Sequence, residues 1–189
     1  IQEALYPTQH PYHHTTIGSM NDLNAASLED VKSWFRTWYG PNNAVLVLAG
    51  DIDLATAKKK VTEFFGDIPA GPTMAQPKID PARRTQSTRS TMEDQVPQTR
   101  IYRVWNVAEY GAPDLDRLQL FAQVLGGSKS SRLDKRLLFD DKLVDNVSAA
   151  VYGSQLGSNF IVRADVKQGV DEKKVEAAID EELKRLIAQ

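Results

Sequence analysis

The chain has 189 residues, of which 41% are apolar and 25% charged, a composition typical of a folded globular domain. Its formal net charge of −2 argues against a nucleic-acid partner, and its longest apolar run is far shorter than the ~20 residues of a membrane span. The chain has no cysteine, which excludes disulfides, thiolate zinc sites and cysteine nucleophiles.

The first 26 residues are polar and rich in turn-forming residues. Ile1 stands where a complete chain would have an initiator methionine, and no signal peptide is present, so we expect a fragment of a longer protein. A helix is predicted next, with Ser27 as its N-cap, Asp30 supporting its first turn and Gly40-Pro41 ending it. Its inward face is expected to carry Leu28, Val31, Phe35 and Trp38.

The run AVLVLAGDI (residues 44–52) is continuously apolar, which predicts a strand covered on both faces. Asp53 is the expected N-cap of a second helix that ends at Gly66. The residues expected to point inward from this helix are Leu54, Ala57, Val61, Phe64 and Phe65.

Residues 69–97 contain five of the nine prolines and few large apolar residues, which is typical of an extended surface connection. The prolines are Pro69, Pro72, Pro77, Pro81 and Pro97. Its basic part, RRTQSTR (residues 83–89), is interpreted as a solvated loop, because no aromatic residue interleaves with it as in a nucleic-acid contact. This connection divides one domain, residues 1–189, into internal halves 1–68 and 98–189.

The second half begins with a predicted strand at residues 100–108. Two helices follow: Asp114 caps the first, which ends at Gly126-Gly127, and Ser130 or Ser131 caps the second. Their inward residues are expected to be Leu115, Leu118, Phe121, Val124 and Leu125, then Leu133, Leu137 and Leu138.

Two further strands are predicted at about residues 146–154 and 159–167, joined as an antiparallel hairpin. A final helix starts near Asp171, with Val175, Ile179, Leu183, Leu186 and Ile187 on one stripe. This order lacks strict β-α alternation. It therefore predicts an α+β fold, with an antiparallel or mixed sheet and helices packed mainly on one face.

All three histidines lie in the stretch HPYHH, at His10, His13 and His14. A zinc site needs three or four converging ligands, and Pro11 prevents the regular helix that would align two imidazoles. No acidic residue lies close enough in sequence to act as a fourth ligand. We therefore interpret the stretch as a turn with exposed histidines, and the metal site as the less favoured alternative.

The stretch LGGSKSSRL (residues 125–133) suggests a phosphate-binding loop, but Ser128 precedes Lys129 where that motif requires glycine. A turn between two helices is favoured over an anion site.

The pairs Asp140-Asp141 and Glu181-Glu182 are neighbours in sequence, so their side chains point in different directions. No G-x-S-x-G elbow occurs. Core or partner-facing roles are expected for Trp34, Trp38 and Tyr39.

The run from His10 to Asp53, with its ordered H-P-Y, I-G, D-L, Y-G-P-N-N-A and G-D motifs, together with LGGSKSSRL, resembles the pitrilysin/insulinase family of zinc metallopeptidases. These are the inverzincins, which include the mitochondrial processing peptidase. The resemblance extends from about Leu5 to the end of the chain. It implies an α+β unit, of which this chain is the second, non-zinc-binding ("inactive") part.

The resemblance also implies where the chemistry lies. In this family H-x-x-E-H supplies two zinc ligands and a Glu that activates the zinc-bound water, and a later Glu is the third ligand. No H-x-x-E-H occurs in this chain, so Zn²⁺ and its motif are expected upstream of Ile1. We expect no catalytic or metal-binding residue here, and Glu3 lies too close to the turn to be assigned as the distal ligand. The chain alone is predicted to be inactive.

The expected partners are the missing N-terminal part of the same unit, a second homologous unit and a peptide substrate. The family's regulatory units carry an Arg and a Tyr after the turn that ends here at Arg132, and no such pair follows it, which favours a zinc-bearing parent. The alternative is a scaffold or regulatory subunit of the same fold without a zinc motif, and an unrelated α+β binding module is less favoured.

The bacterial periplasm is slightly favoured as the location.

Overall fold

A computed structural model describes residues 1–75, 79–80 and 82–188. Pro77 and Pro81 of the predicted connection lie outside the described residues. The helices are α1 (Gln2–Leu5), α2 (Met20–Ala25), α3 (Leu28–Trp38), α4 (Leu54–Phe65), α5 (Pro113–Gly126) and α6 (Glu172–Ile187). The strands are β1 (Arg100–Val107), β2 (Val144–Tyr152) and β3 (Ser158–Val166). Short 3₁₀ turns occur at Pro11–His13 and Pro41–Asn43, and a π-helical segment at Asp134–Asp140.

The chain divides into two compact units. The sheet unit consists of Ile1–His14 and Ile79–Gln189, and the helical unit of Thr15–Lys78. The structure thus groups residues 1–14 with the strands, whereas the sequence grouped them with the residues up to 68. No helix of the described residues is long and apolar enough to cross a bilayer.

The sheet unit contains an antiparallel sheet in the order β1-β3-β2. Arg103 pairs with Val162 in one ladder and Val147 pairs with Ala164 in the other, with a register shift between Val144 and Asn146. β2 and β3 form the predicted antiparallel hairpin, and each strand starts one or two residues earlier than the sequence indicated. The alternation predicted along β3 is confirmed, since its buried apolar residues are Phe160, Val162, Ala164 and Val166.

One face of this sheet supports the hydrophobic core. α5, the π-helical segment and α6 all contribute to a single buried cluster with that face, which confirms the α+β fold with helices on one side. The helical members of the cluster are Ala122, Leu125, Leu133, Leu137, Val175, Ala178 and Ile179.

Two residues predicted to point inward from these helices are exposed instead. Val124 is 45% exposed, because the buried stripe of α5 passes through Ala122 and Leu125. Ile187 is 73% exposed at the end of α6. The start of α5 also differs: Ala112 is its N-cap and Pro113 its first residue, so Asp114 lies inside the first turn.

The helical unit begins its helices where the sequence predicted. Ser27 and Asp30 form a reciprocal capping box at α3, with bonds of 3.2 Å from the Asp30 amide and 2.8 Å from the Ser27 amide. Asp53 caps α4 by accepting a 2.9 Å bond from the Thr56 amide. α4 ends at Phe65 and Gly66 is its C-cap.

The predicted strand at residues 44–52 is wrong, because these residues form no β-ladder and Val45 is 92% exposed. An apolar run specifies what a strand would bury but not which strand would pair with it. The apolar faces of α3 and α4 are likewise exposed, and among the described residues of this unit only Gly40 is buried. The helical spacing of their apolar residues was the sole basis for predicting that these faces are buried in the core. Their exposed members include Leu28, Val31, Phe35, Trp38, Leu54, Phe64 and Phe65.

Candidate functional site

The histidine turn packs against the sheet as part of the N-terminal arm, our name for residues 1–14. Its 3₁₀ turn starts at Pro11, and the Nδ1 atom of His10 accepts a 3.1 Å bond from the Tyr12 amide. The Nδ1 atom of His13 lies 2.8 Å from the Tyr6 carbonyl oxygen. The turn predicted from the sequence is therefore present, and two of its imidazoles hold the backbone of the arm.

The prediction that the histidines are exposed was wrong for His10, which is only 4% exposed. It stacks on the Tyr6 ring with centroids 4.6 Å apart, and the Tyr12 ring lies 5.2 Å from it. Pro11 fixes the turn, and the two tyrosines beside it enclose the imidazole. The presence of Tyr6, His10 and Tyr12 within seven residues was the available signal, since aromatic rings that lie close together favour stacked and edge-to-face pairs.

Tyr6 connects this turn to the sheet. Its hydroxyl donates a 3.1 Å hydrogen bond to Oδ1 of Asn159 on β3, and burial raises the pKa of its phenol. The Tyr12 hydroxyl accepts a 3.2 Å bond from the Leu156 amide in the turn between β2 and β3. Sequence reasoning missed Tyr6 and Asn159 as a pair, because 153 residues separate them.

The site leaves a buried polar atom without a partner. Among the described residues, Nε2 of His10 is inaccessible to solvent and makes no hydrogen bond. The side-chain amide of Asn106 is also inaccessible to solvent and lies beside the Tyr6 hydroxyl, whose pKa it lowers. Asn106 pairs with Asn159 in the β1–β3 ladder, so its amide lies in the same part of the sheet as the Tyr6 contact. A buried donor or acceptor without a partner, such as Nε2 of His10, costs the free energy of its desolvation.

The arrangement does not fit a metal ion. The Nδ1 atoms of His10 and His13 both face backbone groups of the arm rather than a common point. In the part of the chain that the structure describes, no three His, Cys, Asp or Glu side chains are placed to hold a metal. Zinc ligation needs at least three such donors around one centre.

The turn LGGSKSSRL joins α5 to the π-helical segment, as predicted. Gly126 is buried where α5 packs against β2, and a Cβ atom there would lie 2.6 Å from the Ala149 amide nitrogen. The buried Ser131 hydroxyl donates a 2.9 Å bond to the Asp134 carboxylate. Its serines and glycines thus fix local packing.

A buried carboxylate lies beyond this turn. Glu182 on α6 is 5% exposed and accepts a 3.1 Å bond from Arg132 and a 2.9 Å bond from Arg185, with Arg136 3.8 Å away. Its neighbour Glu181 is half-exposed and bonds Arg136 at 3.2 Å. The two glutamates therefore have separate roles, as their adjacent positions indicated.

Polar contacts are also made by one member of the other acidic pair and by two arginines of the basic part of the connection. Asp141 bonds Arg136. Arg89 is exposed but donates to Glu176 at 2.8 Å and to Glu172 at 3.3 Å on α6, while Arg84 donates to the Ala4 carbonyl oxygen of the arm. The loop predicted to be solvated is therefore attached to the sheet unit at two points.

Known proteins are similar to this chain in sequence. Residues 25–189 match the family described as the peptidase M16 inactive domain. The zinc protease PqqE of Helicobacter pylori is 28% identical over 191 residues, which cover 95% of this chain and 42% of that protein. The chain thus spans less than half the length of this curated relative.

Solved structures agree on the fold. A protease from Helicobacter pylori superposes with a TM-score of 0.79 at 23% identity, covering 93% of this chain and 43% of that one. A peptidase M16 inactive domain from Pseudomonas fluorescens gives 0.78 at 23% identity, covering 97% and 45%. Because the family match extends over most of the sequence and these structures share the fold, the chain belongs to the peptidase M16 inactive domain family.

Proposed function

We propose that this chain is the supporting, non-catalytic part of a zinc metallopeptidase that hydrolyses peptide bonds. The observation that carries the proposal is the match to an inactive peptidase domain over residues 25–189, in a chain that corresponds to 42% of a zinc protease. The H-x-x-E-H motif and its Zn²⁺ belong, on this proposal, to the remaining part of the parent protein. There the metal would polarise the peptide carbonyl and activate water.

The sheet suggests what this part contributes. Its helix-covered face is filled by the core, while the opposite face carries polar and aromatic side chains, such as Tyr102 at 44% exposure and Tyr152 at 60%. Arg100 and Asp165 pair on that face at 2.5 Å. A polar, partly exposed sheet face suits the wall of a substrate chamber, and a second homologous unit would complete that chamber.

The sequence of the parent protein upstream of residue 1 tests the proposal. An H-x-x-E-H motif followed by a distal Glu is the expected result. A parent without that motif would contradict the proposal and would favour the scaffold or regulatory subunit of the same fold.

A further inference from the structure

Arg163 lies in the middle of β3, the central strand, on the sheet face opposite the helices. Its neighbours Val162 and Ala164 are buried in the core, and successive residues of a strand point to opposite faces. Tyr102 of β1 and Ser148 of β2 pair with Arg163 in the two ladders. We call the surface marked by Tyr102, Ser148 and Arg163 the open face. A cation therefore lies at the centre of this sheet surface, with a strand on either side.

The ion pairs of the open face leave hydrogen-bond donors of Arg163 in excess. Oδ1 of Asp165 already accepts a 2.5 Å bond from Nε of Arg100. Nη2 of Arg163 lies 3.8 Å from Oδ2 of the same carboxylate, which is too long for a hydrogen bond. Among the described residues, Nε of Arg163 has no hydrogen-bond partner. One carboxylate thus faces two guanidinium groups, so a second carboxylate would balance the charge of this cluster.

The surroundings of Arg163 offer both space and apolar surface to a ligand. Its side chain is 38% exposed, and the short side chain of Ser148 lies on one side of it. The adjacent row of the open face, which separates Arg163 from the row of Asn159 and the N-terminal arm, is apolar and half-buried. This row consists of Val104, Ile161 and Ala150. A cation beside an apolar strip matches a ligand in which a carboxylate lies next to an apolar side chain.

We propose that Arg163 binds a carboxylate group of the peptide substrate on the open face. The inference rests on the proposed function, in which this face is a wall of the substrate chamber. A planar guanidinium group donates two parallel bonds to a carboxylate, and the two Nη atoms of Arg163 are the donors that a ligand reaches, because Nε is inaccessible to solvent. The carboxylate of an Asp or Glu side chain and that of a peptide C-terminus offer the same acceptors. Arg163 thus determines specificity without contacting the reacting atoms.

Binding of short dye-labelled peptides to the whole chain, measured by fluorescence anisotropy, tests this proposal. Three peptides of Ala and Leu are compared: one with a central Glu and an amidated C-terminus, one with Gln in its place, and the Gln peptide with a free C-terminus. At least one of the two carboxylate peptides is expected to bind roughly tenfold more tightly than the amidated Gln peptide. Preference for the Glu peptide identifies a side-chain carboxylate as the ligand, and preference for the free C-terminus identifies the terminal one.

Variants show whether Arg163 is responsible for the preference. Arg163→Gln should abolish it, and Arg163→Lys, which keeps the charge but loses the planar pair of donors, should retain about threefold. Arg117→Gln is the matched control, because it removes the same charge from α5, where the side chain is 80% exposed, and it should leave the preference unchanged.

Two results would overturn the proposal. One is a preference that survives Arg163→Gln, and the other is an unmodified chain that shows no preference among the three peptides. The second result does not depend on the folding of any variant.

Hydrolysis of the same peptides by the complete parent protein separates this proposal from the proposed function. Cleavage without preference for a carboxylate would overturn the role of Arg163 and leave the peptidase function in place. Preferential binding through Arg163 without cleavage would contradict the peptidase function and support the carboxylate site.

Discussion

The Tyr6 hydroxyl donates a hydrogen bond of 3.1 Å to Oδ1 of Asn159, a residue 153 positions later in the chain. This bond joins the first residues of the chain to the central strand of the sheet. It explains why residues 1–14 belong to the sheet unit rather than to the helices that follow them. The H-P-Y turn therefore has a structural role that local sequence does not reveal.

Tyr6 should ionise later than the exposed tyrosines. Burial raises its pKa above 10.0, so the neutral phenol is the form favoured by folding, and its contribution to stability is complete below pH 10 and lost as the pH rises through the folded-state pKa. Tyrosinate absorbance during an alkaline titration measures this. The late phase should disappear in Tyr6→Phe and persist in Tyr110→Phe, whose ring is 73% exposed. A late phase unaffected by Tyr6→Phe would assign it to another residue.

Gly126→Ala should destabilise the sheet unit by roughly 1–3 kcal/mol, the usual cost of overpacking. The added methyl would lie 2.6 Å from the Ala149 amide nitrogen on β2, a backbone atom that moves only with the strand. Urea unfolding measures the change. Gln119→Ala, on the exposed side of α5, is the control and should stay within about 0.5 kcal/mol. A neutral Gly126→Ala would mean that α5 and β2 lie further apart than the structure shows.

Glu182→Gln should lower the free energy of unfolding by roughly 2–4 kcal/mol, because it removes the buried charge to which arginine side chains donate. Arg132 and Arg185 bond this carboxylate at 3.1 and 2.9 Å. The adjacent Glu181→Gln serves as the control, since that side chain is 52% exposed and an exposed pair contributes at most about 1 kcal/mol. Equal effects from both variants, measured by chemical denaturation, would contradict the distinct roles of these neighbours.

Lys142→Gly should stabilise the chain by about 1 kcal/mol. Lys142 has a φ of 52°, in the left-handed region that costs energy for a residue with a Cβ atom. Glycine adopts this conformation without that cost. Lys135→Gly, in the π-helical segment, is the opposing control and should destabilise by about 1 kcal/mol. A loss of thermal stability in Lys142→Gly would show that the Lys142 side chain contributes more than its backbone strain costs.

The sequence predicted the structure most accurately where that structure depends on residues close together in the chain. Capping by Ser27 and Asp53 depends on residues three apart, and the alternation along β3 places its apolar side chains in the core. The predicted strand at residues 44–52 was wrong because strand formation depends on a pairing partner, which an apolar run does not specify.

The contacts of the site were harder to predict. His10 is enclosed by Tyr6 and Tyr12, but the sequence indicated only a turn with exposed imidazoles. The sequence indicated only that Glu181 and Glu182 point in different directions, and not that Glu182 is buried facing Arg132 and Arg136. In each case the deciding contact joins residues that are far apart in the sequence or depends on which face of a helix is buried.

On the function proposed here, this chain supports a zinc peptidase without carrying its catalytic site. The most direct measurement is metal content and peptide hydrolysis, determined for the purified chain alone and for the chain together with the rest of its parent protein. We predict neither bound zinc nor hydrolysis for the chain alone, and zinc-dependent hydrolysis for the complete protein. Zinc-dependent peptide cleavage by the chain alone would contradict the account.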